Sequence, residues 1–241
     1  MNEPILPALD AHTDQKTEFF MAASHQLKSP VAVVQWCLNS ITEKQDIDPE
    51  TRKLAERALV QADAMSQLLG DMLRVFRIIH KGHGVETLVP INMNHLLEGV
   101  LKQYELIALQ QQVKIQVGPM EQLPLVLGNE TYLQQAVINI LDNAIKYSTA
   151  GSSVELSAYA KGGMIEITIA DHGIGIPEAE QSRLFTEFFR GELAKDKTAN
   201  GTGLGLVLVK HILEGMGGGI SYTSVPGRGT TFLLRIPTAA A

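Results

Sequence analysis

Residues 19–30 of this chain place His25 and Gln26 just ahead of Pro30. Phe20, Ala23, Leu27 and Val31 recur at helical spacing, which turns His25 away from the apolar face. Pro30 has no N–H for the carbonyl of Gln26, so a bend is expected there, freeing space around the imidazole. A neutral imidazole nitrogen is a nucleophile when its other nitrogen is held in the right tautomer. Alone, this stretch is equally a solvated histidine beside a proline.

A second group falls in a helix expected over residues 130–146. Asn139, Asn143 and Lys146 lie within roughly 60° of one another at 100° per residue. Leu133, Val137, Ile140 and Ala144 form the opposite, core-facing side. Two carboxamides and an amine suit a hydrated metal–phosphate group: an amide oxygen ligates a hard Mg²⁺ ion, and lysine offsets phosphate charge. Asp171 follows a strand and opens the run Asp171-His172-Gly173-Ile174-Gly175-Ile176. A strand-end aspartate can accept from an exocyclic amine such as that of adenine, and Gly173 and Gly175 let backbone approach a flat ring. Gly201-Thr202-Gly203-Leu204-Gly205-Leu206 runs into a further helix, whose N-terminal amides suit phosphate. The spacing is not GxGxxG, and no GxxxxGK[ST] loop occurs. Between the two glycine runs, Phe185, Phe188, Phe189 and Arg190 read as an anchor, and residues 191–200 as a lid.

The elements that must position these residues follow from periodicity. Residues 1–13 read as a linker. A helix is expected over 14–43, a short connection over 44–47, and a second helix from Asp48-Pro49 to about residue 79. Leu54, Ala58, Met65, Leu69, Met72, Phe76 and Ile79 form its stripe. A single hairpin cannot bury two continuous stripes, so a four-helix bundle of two chains is expected. Cys37 reads as a small core residue. Lys81-Gly82-His83-Gly84 marks a boundary between a helical domain at 14–82 and a second domain at 83–241. In the second domain, strands are expected at 86–91, 113–117, 154–159, 164–170, 219–224 and 230–236. Helices fall at 92–111, 130–146 and 203–214. Pro119 and Pro124 bracket a loop. The fold class is therefore an all-α hairpin followed by an α+β sandwich, with a mostly antiparallel sheet and helices on one face.

The chain has 241 residues, 45% of them hydrophobic, and a formal net charge of -6. That charge disfavours nucleic-acid binding through bulk electrostatics. One cysteine allows no internal disulfide and fits a reducing compartment. No apolar run reaches the ~18–20 residues of a membrane span, so a cytoplasmic location is expected, either free or as the cytoplasmic portion of a membrane-bound sensor.

The order of these boxes, from His25 through Asn139, Asp171, the phenylalanines and the triple glycine to Gly227-Arg228-Gly229-Thr230, resembles the sensor histidine kinases of two-component signalling. The resemblance spans about residues 14–237. It implies a dimeric hairpin carrying a phosphoacceptor, which would be His25, and a Bergerat-type domain that binds ATP and Mg²⁺. By position, Asn139 is similar to the Mg²⁺ ligand, Asn143, Lys146 and Tyr147 to nucleotide-site residues, and Asp171 to the adenine-reading aspartate. Gly173, Gly175 and Ile176 lie beside it. Arg190, Gly201, Thr202, Gly203, Leu204, Gly205, Leu206 and Thr230 complete the implied nucleotide set. The implied partners are a second copy of the chain and a response-regulator receiver domain.

One position departs from the pattern. The family usually places Glu or Asp after the histidine to accept its second proton, where this chain has Gln26. A carboxamide orients the ring but takes no proton at neutral pH. General-base help is worth roughly 10²–10⁴ in rate, so slower autophosphorylation is expected. The usual phosphatase pattern, an acid with Thr or Asn three residues on, is not kept here: those positions are Gln26 and Ser29. Two other readings stay open at this stage. One is an ATP-binding dimeric scaffold without phosphoryl transfer, supported by Gln26 alone. The other is a serine kinase or ATPase on the same fold, which needs no histidine hairpin.

Overall fold

The structure is a computed structural model that describes residues 26–44, 46–80, 88–198 and 201–239. His25, Phe20 and Ala23 lie outside the described residues, as do the expected linker at 1–13 and the Lys81–Gly84 boundary. The described chain forms two units. One holds the helices before residue 82 together with Gly201 and Thr202, and the other holds 88–198 and 203–239.

In the first unit, α1 (residues 26–42) continues through Pro30, and α2 spans Pro49–His80. Asp48 starts α2 as expected: its Oδ1 accepts from the Thr51 N–H at 2.9 Å. Arg52, one turn later, donates to the carbonyls of Thr42 and Lys44 at the end of α1. Those carbonyls have no partner within α1, so one guanidinium closes that helix and ties α2 to it. Gln35 adds a polar clamp between the helices, donating to Asp63 at 2.6 Å.

The seam inside this hairpin differs from the expected stripe. Val31 of α1 and Ala55, Ala62, Leu69 and Leu73 of α2 are buried. Leu54 and Met65 are 58% and 54% exposed, and Ala58 is exposed. Of the residues read as one line, Leu69 is buried, while 54, 58 and 65 form a second line beside the buried seam of Ala55, Ala62 and Leu69. Cys37 is exposed rather than buried, next to Trp36 at 70% exposure. Two helices cover one strip of each other and leave the neighbouring strip bare.

The second unit contains β1 (Val89–Asn92), α3 (Met93–Gln110), β2 (Lys114–Met120), β3 (Leu125–Gly128) and α4 (Glu130–Tyr147). These are followed by β4 (Ser153–Lys161), β5 (Met164–Asp171), α5 (Glu178–Gln181), α6 (Glu192–Lys197), α7 (Gly205–Gly215), β6 (Gly219–Val225) and β7 (Gly229–Pro237). The main sheet has the order β2-β4-β5-β7-β6; β2 runs parallel to β4 and the other pairs are antiparallel. Strand alternation sends Val154, Leu156, Ala158, Ile165, Ile167, Ile169, Leu234 and Ile236 to one buried face, where α3, α4 and α7 supply Leu97, Val137, Ile140, Val209 and Leu213. Asn92 and Asn129 cap α3 and α4 by accepting from His95 and Tyr132. A separate pair, β1 with β3, stands outside the main sheet.

Three local expectations change. Pro119 lies within β2, where the missing N–H is tolerated because β2 is an edge strand. A strand, β3, follows Pro124 where no element was expected; at four residues it is too short for a periodic signal. The segment read as lid contains the short helix α6.

Candidate functional site

β5 delivers Asp171 to the end of the sheet on the same face as Ile165, Ile167 and Ile169, and the residue is 7% exposed. Its Oδ1 accepts from the Gly173 N–H at 2.9 Å and the Thr230 N–H at 3.2 Å. Its Oδ2 takes no hydrogen bond among the described residues. Burial pushes the carboxyl up to about 6, against the two backbone donors and the nearby charges of His172 and Lys197. Thr230 thus contributes its backbone to Asp171, while its hydroxyl pairs with Ser224 at 2.8 Å.

The glycines beside Asp171 also have a packing task within the fold. A Cβ on Gly173 would stand 2.0 Å from the Tyr147 carbonyl oxygen, and one on Gly175, where φ is +62°, would stand 2.2 Å from the Val225 oxygen. The chain's own backbone fills the space of either Cβ, so both glycines let the loop close onto α4 and β6. Ile176 is held in the same loop, its N–H donating to Ser224 Oγ at 2.9 Å.

On α4, Asn139 faces α7. Its Nδ2 donates to the Gly205 carbonyl at 3.3 Å, and its Oδ1 accepts from Gln135 at 3.0 Å. α7 begins at Gly205 with no side-chain cap. A carboxamide oxygen with one lone pair remaining therefore stands beside an uncapped helix N-terminus. Those are the donor types that a divalent cation and the phosphates it bridges require, so the residues fit Mg²⁺ with a nucleotide. Asn143 is half-buried and makes no side-chain hydrogen bond among the described residues. Lys146, read as an amine that offsets phosphate charge, has its ammonium held by Asp142 at 2.6 Å. The i,i+4 spacing of that acid and amine was visible in the sequence. The Tyr147 phenol is pushed up by burial, and the charge of Arg190 lies close to it.

Arg190 also donates to the carbonyls of Ala194 and Thr198, which ends α6. Phe185 stacks at 5.9 Å on Tyr222, and Arg183 lies 4.4 Å over the Phe189 ring, so those two aromatics anchor the segment. Phe188 instead is 54% exposed with φ of +59°. Its backbone turns to meet Gly203, where a Cβ would stand 2.6 Å from the Phe188 carbonyl carbon. Leu204 is buried and Leu206 half-buried. Gly201 and Thr202 group with the helical unit, in which the Thr202 hydroxyl donates to Asp71 at 2.9 Å. Gln135 and Lys197 were not singled out from sequence. Gln135 precedes Asn139 by one turn, a signal that was available; Lys197 sits in a polar run with no such signal.

Residues 15–81 match the family described as the His Kinase A (phospho-acceptor) domain. Residues 128–240 match the histidine kinase-, DNA gyrase B-, and HSP90-like ATPase family. The sensor-like histidine kinase SenX3 of Mycobacterium tuberculosis is 30% identical over 222 residues, which is 92% of this chain and 54% of that protein. SenX3 of Mycolicibacterium smegmatis is 32% identical over 223 residues, 92% of this chain and 57% of its own length. The chain thus spans about half the length of these relatives. The crystal structure of full-length ShkA in complex with AMPPNP superposes with a TM-score of 0.74 at 26% identity, covering 93% of this chain and 47% of ShkA. With both domains matched in sequence order and in fold, this chain belongs to the sensor histidine kinases, as their catalytic core.

Proposed function

We propose that the chain is an ATP-dependent protein-histidine autokinase that phosphorylates His25 and passes the phosphoryl group to an aspartate of a response regulator. The observation that carries this reading is the pairing, in one chain, of a phospho-acceptor domain with an ATPase-family domain. In this reading Asp171 Oδ2 accepts from the adenine amino group, Asn139 ligates Mg²⁺, and the first amides of α7 hold phosphate. Mg²⁺ supplies charge neutralisation on the phosphates, and positioning does most of the rest in phosphoryl transfer. A neutral nitrogen of His25 attacks the γ-phosphorus; the N–P bond forms as the bond to the bridging oxygen breaks and ADP leaves. Gln26, exposed at the start of α1, orients the ring through its carboxamide oxygen but leaves the second proton to solvent. The two chains of a dimer would cover the bare strip of the hairpin, and the assembly would be the cytoplasmic part of a sensor.

The test is incubation with Mg²⁺ and γ-labelled ATP beside His25→Ala. Label that survives alkali, is lost in acid and is absent from the variant is the expected outcome. Gln26→Glu should raise the rate by roughly tenfold or more, since it restores a proton acceptor. ATP binding with no labelled protein would replace the kinase with the scaffold.

A further inference from the structure

Lys197, the last residue of α6, reaches back to the end of α4. Its ammonium donates to the Tyr147 carbonyl at 2.8 Å and to the Ser148 carbonyl. These are orphan acceptors of a helix C-terminus, the negative end of its dipole. The Tyr147 carbonyl also accepts from the Ile174 N–H at 3.2 Å. Ser148 forms an isolated bridge with Gly173, and the Thr149 N–H reaches the His172 carbonyl. One corner of backbone therefore holds the loop that carries Asp171 and, through Lys197, the helix that follows the phenylalanine anchor. Arg190 completes the connection, since its charge lies close to the Tyr147 phenol on one side and it donates to the Ala194 and Thr198 carbonyls on the other.

We infer that Lys197 is a positioning residue for the nucleotide site: it pins α6 to the Tyr147–Ser148 corner and so holds the Asp171 loop and the lid helix as one purine-facing wall. The inference rests on the nucleotide-binding reading above. Lysine suits the task because its ammonium offers three donors in free rotation, enough for two carbonyls at once. Methionine matches its stem and keeps the packing but donates nothing. In this assignment Lys197 makes no phosphate contact, so its contribution to affinity is independent of the number of phosphates on the ligand.

The experiment measures dissociation constants of ATP, ADP and AMP for the full chain, Lys197→Met and Lys197→Arg, together with amide exchange across 192–198 without nucleotide. Lys197→Met should weaken all three ligands by the same factor, about five- to tenfold for a charge-assisted contact at the surface. It should also speed exchange in α6, and Lys197→Arg should restore most of both. A loss that grows from AMP to ATP would make Lys197 a phosphate ligand and overturn the proposal. Unchanged or tighter binding by Lys197→Met would overturn it as well, the second by making the lysine an obstacle. Failure of the parent chain to bind any of the three nucleotides would instead reject the nucleotide reading on which the proposal rests.

Discussion

At the scale of single residues, the adenine-reading role proposed for Asp171 sets two opposed demands. Reading an amino group requires an ionised acceptor, and burial disfavours the ion, which is why its carboxyl stands at about 6 rather than the ordinary 3.8. A carboxyl raised in the folded state favours folding when protonated, so its contribution is full below about pH 3.8 and is lost as pH rises through about 6. Binding runs the other way. Below about pH 6 the group takes up a proton, and nucleotide affinity should fall by up to about tenfold per pH unit. Asp171→Asn should bind more weakly at pH 7 and lose this component. The phosphates titrate alike with both proteins, so the ratio of parent to variant affinity isolates the aspartate. Denaturation of the two proteins between pH 4 and 7 should show the parent losing stability relative to the variant. A ratio independent of pH would remove Asp171 from the purine contact.

At the scale of elements, the site exists because α4, α7 and the loop after β5 approach more closely than side chains allow. Gly203 shows the requirement most directly, with φ of +70° and no room for a Cβ against Phe188. Gly227 has a similar φ of +72° but open space around it. Gly227→Ala should therefore cost about 1–2 kcal/mol of stability from backbone strain alone. Gly203→Ala should cost a further 1–3 kcal/mol from overpacking, as measured by urea denaturation. Equal costs would mean that the Phe188 turn yields freely. The positions of these elements were largely legible in the sequence. Asn129 marks the start of α4, Leu133, Val137, Ile140 and Ala144 mark its buried side, and Gly162-Gly163 mark the turn between β4 and β5, with φ of +60° and +77°. What faces each polar group was not legible. Gly173 reads as a residue that lets backbone approach a ring, and the Tyr147 carbonyl that fills the space of its Cβ comes from a segment 26 residues earlier. Residue type and spacing place a group on a face, whereas its partner comes from a distant segment that local periodicity does not specify.

At the scale of the whole molecule, the helical unit has too little surface of its own to bury what it presents. Leu27 and Val34 are seven residues apart on α1 and are 51% and 50% exposed, and Leu54 and Met65 form the bare line on α2. A second copy would cover these strips with identical ones, the self-complementary arrangement of a two-fold dimer. Burying a Leu or Met side chain is worth about 1.5–3 kcal/mol, and two positions recur in two chains. The double variant Leu54→Glu, Met65→Glu should therefore raise the dimer dissociation constant by at least about 10⁴-fold and sediment as a monomer at micromolar concentration. Its α/β unit should keep the parent's nucleotide affinity, because none of the α/β residues proposed for nucleotide binding is altered. A parent chain already monomeric at that concentration, or a double variant that remains dimeric, would mean that the exposed strips at 27, 34, 54 and 65 are not the faces that pair.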